Sequence, residues 1–150
     1  MSTPEVPELQ SVENLTAQQA STAPEIDPRD EVEYRFEFEH VDSRGKRWVG
    51  SFVNKILTLK QRRQMKITKA QLGGGLSVAA LDADVWEQNE MIAHLAISLD
   101  HGAKGFPDWA KSLEDLHDIS VIEALYAEVV SHETRFFRRA ADTEESSQSS

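Results

Sequence analysis

The chain has 150 residues, a formal net charge of -10 and no cysteine. Without cysteine it has no disulfide, no thiolate metal ligand and no cysteine nucleophile, which fits a reducing compartment. Its first residues lack the basic-then-apolar pattern of a signal peptide, and no apolar run has membrane-spanning length, so we expect a soluble cytoplasmic protein.

Both ends of the sequence predict disordered tails around one domain. Residues 1–30 are rich in Pro, Ser, Thr and Gln and contain no aromatic residue. Such a composition buries too little apolar surface to offset the chain entropy that is lost on folding. Residues 141–150 are similarly polar and acidic. We therefore expect a disordered N-terminal tail over 1–30, a single domain over 31–140 and a disordered C-terminal tail over 141–150.

The domain begins with two segments of alternating polarity, which predict the strands of an antiparallel hairpin. The apolar side chains of each segment share one face: Val32, Tyr34, Phe36 and Phe38 in the first, and Trp48, Gly50 and Phe52 in the second. Gly45 is placed for the left-handed position of the turn. On the solvent face, the pairing is expected to bring acids near bases, namely Glu33, Glu37 and Glu39 near Lys46 and Arg47.

Two helices are predicted directly after the hairpin. The first starts at a capping box formed by Thr58 and Gln61 and ends at the triple glycine 73–75, and its apolar positions are sparse. The second is capped by Asp82 or Asp84 and is expected to stop near Gly102. Its apolar stripe consists of Val85, Ile92, Leu95, Ala96 and Leu99.

The last helix is capped by Asp118 and follows a short helical turn around Leu113 and Leu116. Its apolar stripe consists of Ile122, Leu125, Tyr126, Val129, Phe136 and Phe137. A hairpin followed by helices predicts the α+β fold class. Because a two-stranded sheet is not stable alone, we expect the hairpin to pack on a body of three to four helices.

Charge is segregated along the chain. Residues 44–69 contain nine basic residues and no acid, whereas residues 82–133 contain twelve acids and only Lys104 and Lys111 as bases. One interpretation is that the two blocks lie against each other within the molecule. The other is a basic face for an acidic partner, centred on the helix side chains Lys60, Arg62, Arg63 and Lys66.

No catalytic, cofactor or metal motif in the sequence is complete. The triple glycine 73–75 lacks the lysine and Ser/Thr of a phosphate loop, and "HETRF" has Phe136 where a zinc-protease helix has its second histidine. His94, His117 and His132 lack the spacing of metal ligands. No Ser-His-Asp arrangement is present, so we expect a protein without enzymatic activity, cofactor or metal.

The connection between the second and last helices contains "GFPDW", residues 105–109. Pro107 does not fit a helix interior and favours an extended Phe106. Phe106 and Trp109 either pack over the helix ends or form an exposed aromatic anchor for another protein. We expect packing, with Trp109 mostly buried and Phe106 at least partly so. Both residues stay candidates for partner binding, together with the four basic side chains of the first helix.

The order of these motifs resembles that of the small tail assembly chaperones of long-tailed bacteriophages and of related tail-region proteins. In that family a β-strand region precedes a helical body, "P-x-W" follows the central helix, and an "L-Y-x-E-V-x-x-x-E-x-x-F" helix closes the domain. The matching residues here are 107–109 and, in the last helix, Leu125, Tyr126, Glu128, Val129, Glu133 and Phe136. The resemblance covers residues 34–139.

The resemblance implies a non-enzymatic protein of the host cell cytoplasm with protein partners and no membrane association. Such a chaperone binds the long tape-measure protein during tail morphogenesis, keeps it soluble and helps recruit tail-tube subunits. The family often also makes a longer product by ribosomal frameshifting.

Two alternatives stay open. One is a structural virion protein of the tail or connector, and the other is a nucleic-acid-binding regulator that uses the basic helix 60–69. Two observations argue against nucleic acid as the ligand. The nearby aromatics Trp48 and Phe52 belong to the hairpin's core face, and the net charge is acidic.

Overall fold

The computed structural model describes residues 27–148, with the side chains of 27–138 except that of Val78. It has the predicted α+β fold, in which an antiparallel hairpin is followed by three α-helices. The strands are β1 (Glu33–Val41) and β2 (Arg47–Lys55), and the helices are α1 (Leu59–Leu72), α2 (Ala83–Ser98) and α3 (Ile119–Gln148). The predicted tail over residues 1–26 lies outside the described residues. None of the described helices is long and apolar enough to cross a bilayer.

The hairpin has the predicted turn and the predicted shared face of aromatic side chains. Phe36 pairs with Phe52, and Phe38 pairs with Gly50, so the aromatic side chains of both strands lie on one face. The rings of Phe36 and Phe52 stack with their centroids 5.6 Å apart. In the turn, Gly45 has a φ of +83°, in the left-handed region that glycine adopts without strain.

The solvent face of the hairpin follows the predicted charge pairing only in part. Arg47 Nε lies 2.8 Å from Glu39 Oε1, and this charged hydrogen bond lowers the pKa of the Glu39 carboxyl. The prediction was wrong for the other acids, because the register sets Glu33 opposite Lys55 and Glu37 opposite Ser51.

The aromatic face of the hairpin packs against α2, α3 and the loop between them to form the core. Its side chains that are less than a tenth exposed include Phe36, Phe38, Phe52, Leu95, Leu99, Ala110, Leu113, Val121, Ile122, Leu125 and Val129. Because a two-stranded sheet is not stable alone, burial of this face against the helices is what stabilises the hairpin.

α1 begins at the predicted capping box and lies outside the core. Thr58 Oγ1 accepts a hydrogen bond from the Gln61 N–H at 3.2 Å, and Gln61 Oε1 accepts one from the Thr58 N–H at 3.0 Å. Gly73 is the C-cap residue, so the triple glycine ends the helix as predicted. None of the residues of α1 is buried, so this helix lies on the surface of the domain.

α2 begins at one of its two predicted caps, Asp82, but ends earlier than predicted. Its last residue is Ser98 rather than one near Gly102, because Leu99 forms an antiparallel bridge with Asn54 of β2. That bridge joins residues far apart in sequence, so no local pattern around Gly102 could reveal it.

The buried sides of α2 and α3 differ from the predicted apolar stripes. Val85 and Phe137 belong to those stripes but are 39% and 48% exposed. In contrast, His94 and His132 are buried, because each has a hydrogen-bond partner on another element. Hydropathy alone does not identify a polar side chain that is buried with its partner.

α3 starts at the predicted cap. The Asp118 carboxylate accepts hydrogen bonds from the Ser120 N–H at 2.9 Å and from the N–H and hydroxyl of Ser43 in the hairpin turn. These hydrogen bonds, those of Ser43 first, hold the pKa of Asp118 well below its usual range. The helix continues to Gln148, so the predicted C-terminal tail over 141–150 is corrected to helix up to that residue.

The predicted N-terminal tail over 1–30 is also too long. Its last residues form the turn Pro28–Asp30, which lies against α3. Arg29 donates to Ser131 Oγ at 3.2 Å, and Arg135 Nε lies 2.9 Å from Asp30. Arg29 also bonds the Asp27 side chain, which lowers the pKa of that carboxyl to about 2. The turn is held on α3 by polar contacts and not by buried apolar side chains. Its composition is therefore as polar as that of a disordered tail.

Candidate partner-binding surface

The solvent-facing side of α1 combines basic and apolar side chains. Leu59 and Ile67 are 79% and 53% exposed, although both are large and apolar. Arg63 and Lys66 are exposed as well and share this side, because positions i, i+4, i+7 and i+8 lie on one side of a helix. We call the surface formed by Leu59, Lys60, Arg62, Arg63, Lys66 and Ile67 the basic face.

The basic face is not neutralised within the part of the chain whose side chains are described. There, no carboxylate oxygen lies within 4.0 Å of the side-chain nitrogens of Lys60, Arg62, Arg63 or Lys66. All four candidate cations lie on this side of α1, where Lys60, Arg63 and Lys66 are exposed and Arg62 is half-buried.

The alternative, that the basic block lies against the acidic block, holds for two other bases. Lys69 Nζ lies 3.6 Å from Glu90 Oε1, and Lys55 Nζ lies 3.7 Å from Asp100 Oδ2. Both ion pairs are partly solvent-exposed, where such pairs contribute little to stability. Among the described side chains, intramolecular complementarity accounts for these two bases and for none of the four cations of the basic face.

A shallow groove of about 530 Å³ lies along the basic face. It combines the apolar Leu59 and Met65 with three cations, Arg62, Arg63 and Lys66. Arg62 also lies over α3, since its guanidinium carbon is 5.8 Å from the centroid of the Phe137 ring, within the range of a cation–π contact. Arg62 thus connects the lining of the groove, which among the described residues belongs to α1, with Phe137 of α3.

A second cavity, of about 260 Å³, is lined by residues of α1, α2 and the loop that joins them. Lys69 Nζ lies 3.9 Å from the centroid of the Trp86 ring. Two buried donors here, Trp86 Nε1 and Asn89 Nδ2, have no acceptor among the described residues. An unpaired buried donor costs about 1–3 kcal/mol. The interface between α1 and α2 therefore contains hydrogen-bond donors that the described residues do not satisfy.

Phe106 and Trp109, the two aromatic candidates, contact the hairpin rather than the basic face. Phe106 packs edge-on against Phe52 with the centroids 5.5 Å apart, and Trp109 packs edge-on against Trp48 at 5.2 Å. Trp109 Nε1 donates to the Val49 carbonyl oxygen at 2.9 Å. Both side chains are partly buried. These contacts favour the packing interpretation over that of an exposed anchor.

The loop that carries the two rings lies directly on β2 at Gly105 and Pro107. The Ser51 N–H donates to the Gly105 carbonyl oxygen at 3.1 Å. Beside it, a Cβ atom at Gly50 would lie 2.5 Å from Pro107 Cγ. Glycine at this strand position therefore allows the loop to approach the backbone closely, which is a common reason for glycine inside a strand.

Replacing Gly50 with alanine is expected to lower the free energy of unfolding by about 1–3 kcal/mol, because the added methyl group forces Pro107 or β2 to move. Replacing Pro107 with alanine as well removes the ring atoms that the methyl group meets. The double variant should therefore be more stable than the sum of the two single losses predicts. Urea unfolding, followed by tryptophan fluorescence, measures all three variants.

Gly102→Ala is the matched control for this cycle. A Cβ atom there would lie 3.5 Å from its nearest neighbour, an Asp100 side-chain oxygen, and we expect a change within about 0.5 kcal/mol. Equal losses for Gly50→Ala and Gly102→Ala, or additive losses in the double variant, would show that Pro107 does not pack on β2 in this way.

Of the three histidines that the sequence singles out, two are buried and contact side chains of other elements, and one is exposed. His94 Nε2 lies 2.6 Å from Glu133 Oε1 and joins α2 to α3, while His132 Nδ1 lies 2.9 Å from Asn54 Nδ2. His117 is exposed. No group of three or more His, Asp or Glu side chains that could hold a metal ion occurs among the residues that the structure describes.

Sequence reasoning found the cations of the basic face but missed its apolar members. Leu59 and Ile67 are two of the sparse apolar positions of this helix, and both follow the helical spacing of Arg63 and Lys66. That spacing is the signal that could have identified them.

No family model matches the chain, and no curated protein or solved structure matches it either.

Proposed function

We propose that this protein is a non-enzymatic tail assembly chaperone of a long-tailed bacteriophage, which binds the tape-measure protein and tail-tube subunits in the host cell cytoplasm. The order of motifs over residues 34–139 supports the proposal. The structural observation that supports it is the basic face, where four cations without a carboxylate partner among the described side chains lie beside exposed Leu59 and Ile67.

A surface of this composition suits a helical partner that carries acidic and apolar side chains. Complementary charge steers the encounter and selects the orientation of the partner. The apolar side chains of an amphipathic helix then contribute affinity when they enter a groove such as the one along α1. A chaperone that works in this way needs a binding surface and no reactive group.

Co-expression with the tape-measure protein tests the proposal. The wild-type chain is expected to raise the soluble fraction of the tape-measure protein and to be recovered with it in a pull-down. The variant Arg62→Glu/Arg63→Glu should reduce recovery about tenfold or more, because like charges placed across an interface cost several kcal/mol. Wild-type chain that changes neither solubility nor recovery would refute the chaperone function.

The control variant for this experiment is Arg44→Glu/Lys104→Glu. It makes the same change in net charge at two exposed positions outside α1 and should bind as the wild type does. If both double variants lose binding equally, the basic face is not the binding surface. Mass spectrometry of purified particles separates a chaperone from a structural virion protein, since the structural protein is present there in stoichiometric amount.

The same cations favour one second candidate, a nucleic-acid-binding regulator. In that case binding to a DNA or RNA duplex would fall steeply with salt, with a slope of about -0.9 for each phosphate contacted on B-DNA. Binding would also be lost in Arg62→Glu/Arg63→Glu and kept in Arg44→Glu/Lys104→Glu. We expect no such binding at physiological salt, because the net charge of the chain is -10.

A further inference from the structure

We infer that residues 1–26 of this chain bind the basic face of α1 in the same molecule. The inference goes beyond the proposed function, because it concerns a contact that the chain makes with itself and needs no partner. Three observations carry it: the chemistry of the basic face, the chemistry of residues 1–26, and the place where the described structure begins.

The composition of residues 1–26 is complementary to that of the basic face. The segment contains four glutamates and no Lys or Arg. Apolar residues are interspersed with its acids, as in Glu5, Val6, Glu8, Leu9, Val12 and Glu13. The basic face carries the opposite charge and also has exposed apolar side chains, Leu59 and Ile67. Each class of side chain in the segment therefore has a counterpart on α1.

The start of the described chain and the basic face both contact α3, on different sides of that helix. Asp27 Oδ2 lies 3.8 Å from Arg135 Nε on α3. Phe137, two residues further along α3, is the ring over which Arg62 of the basic face lies. Because an α-helix rises 1.5 Å per residue and turns about 100° per residue, these two positions are about 3 Å apart along the axis but about 200° apart around it. Asp27 and Arg62 therefore contact nearly opposite sides of α3. The attachment point of residues 1–26 is thus separated from the basic face by about one helix diameter, roughly 10–12 Å.

The tether makes a weak contact sufficient. A 26-residue segment spans up to about 85 Å when extended and has a root-mean-square reach of roughly 28 Å as a flexible chain, so the basic face is within its range. A short tether gives an effective concentration of about 1 mM. A segment that would bind as a separate peptide with a dissociation constant of about 0.1 mM would then occupy the face in about nine molecules of ten.

Docking of this segment would have a consequence for the proposed function. A partner that binds the basic face must displace residues 1–26, so the segment would act as a competitor that an acidic partner segment replaces. Only this consequence rests on the proposed function. The docking itself can be measured on the isolated chain, so its failure and that of the chaperone proposal are distinguishable.

Paramagnetic relaxation enhancement on the full-length chain tests the docking. The chain has no cysteine, so Ser11→Cys introduces a single attachment site for a nitroxide label. In ¹⁵N-labelled protein, we expect the amide signals of α1 around Arg63 to lose at least half of their intensity, and to recover it when the nitroxide is reduced. High salt should weaken the effect, because the contact is largely between charges.

Two variants show whether charge complementarity directs the contact. Arg62→Glu/Arg63→Glu/Lys66→Glu should abolish the intensity loss, and adding Glu5→Lys/Glu8→Lys/Glu13→Lys to it should restore the loss. The tail variant alone should also abolish the loss. It leaves the described domain unchanged, so a folding defect cannot explain that result. Arg44→Glu/Lys104→Glu, reversed outside α1, should keep the loss.

Several outcomes would overturn the inference. Uniform or absent intensity loss means that residues 1–26 do not dock, and loss centred on another element means that they dock elsewhere. Loss that appears only when labelled and ¹⁵N-labelled chains are mixed means that a second copy supplies the segment. Loss that survives reversal of the tail glutamates means that charge does not direct the contact, and each of these results contradicts the inference.

Discussion

Replacing Phe52 with alanine is expected to lower the free energy of unfolding by about 3–5 kcal/mol, as for other fully buried aromatic residues. Its side chain is 0% exposed. Its ring lies 5.6 Å from that of Phe36 and 5.8 Å from that of Phe38, centroid to centroid. The Phe52 ring also contacts the rings of Phe106 and Trp109, with centroid distances of 5.5 Å and 5.8 Å. The substitution therefore leaves a cavity where the hairpin meets the loop between α2 and α3.

Val49→Ala is the matched control for this substitution. Val49 lies on the same strand but is 48% exposed, so the change should stay within about 0.5 kcal/mol. Urea unfolding measures both variants, and an unchanged slope against urea shows that the native state is still compact. If Phe52→Ala cost no more than Val49→Ala, the ring would not be at the centre of the core.

The parts of the fold that depend on local pattern could be predicted from the sequence. Alternation of Phe36 and Phe38 with glutamates indicated β1, and Gly45 indicated the turn, because period and backbone geometry are encoded within a few residues. The capping box of Thr58 and Gln61 marked the start of α1 for the same reason. A hairpin that cannot be stable alone then required helices against its aromatic face.

The parts that depend on contacts distant in sequence could not be predicted. Nothing near Ser98 indicates that Leu99 will pair with Asn54, which is what ends α2. Composition also misplaced the domain boundary, because Arg29 and Arg135 hold the turn at Pro28–Asp30 on α3 through polar contacts. Such contacts leave no apolar periodicity from which they could be inferred.

The candidate site shows the same division. The cations of α1 were evident from the sequence, and their position on one helix followed from the predicted element. Whether the acidic block would neutralise the basic block depended on tertiary packing, and among the described side chains its acids lie near only Lys55 and Lys69 of that block. For Phe106 and Trp109 the sequence left packing and exposure open, and the contacts with the hairpin favour packing.

Removing the imidazole of His132 is expected to cost about 3 kcal/mol or more. The side chain is 0% exposed. Nε2 lies 2.7 Å from the Glu31 carbonyl oxygen, which only accepts, so Nε2 carries the proton and Nδ1 accepts from Asn54 Nδ2 at 2.9 Å. In His132→Ala the buried Asn54 amide loses its acceptor, at about 1–3 kcal/mol, and the carbonyl of the exposed Glu31 loses its donor. The cavity left by the ring adds to this loss.

A double-mutant cycle separates the hydrogen bond from the packing of the ring. Asn54→Leu leaves His132 Nδ1 without a donor, and His132→Leu leaves the Asn54 amide without an acceptor, so each single variant should be strongly destabilised. The double variant has neither unpaired group, and its loss of stability should be smaller than the sum of the two single losses by about 1–2 kcal/mol.

His117→Ala, at an exposed histidine, is the control and should change the free energy of unfolding by no more than about 0.5 kcal/mol. Additive losses would mean that Asn54 and His132 are not coupled. In that case another contact, such as the ring of Tyr34 5.2 Å from that of His132, would account for the burial of this histidine.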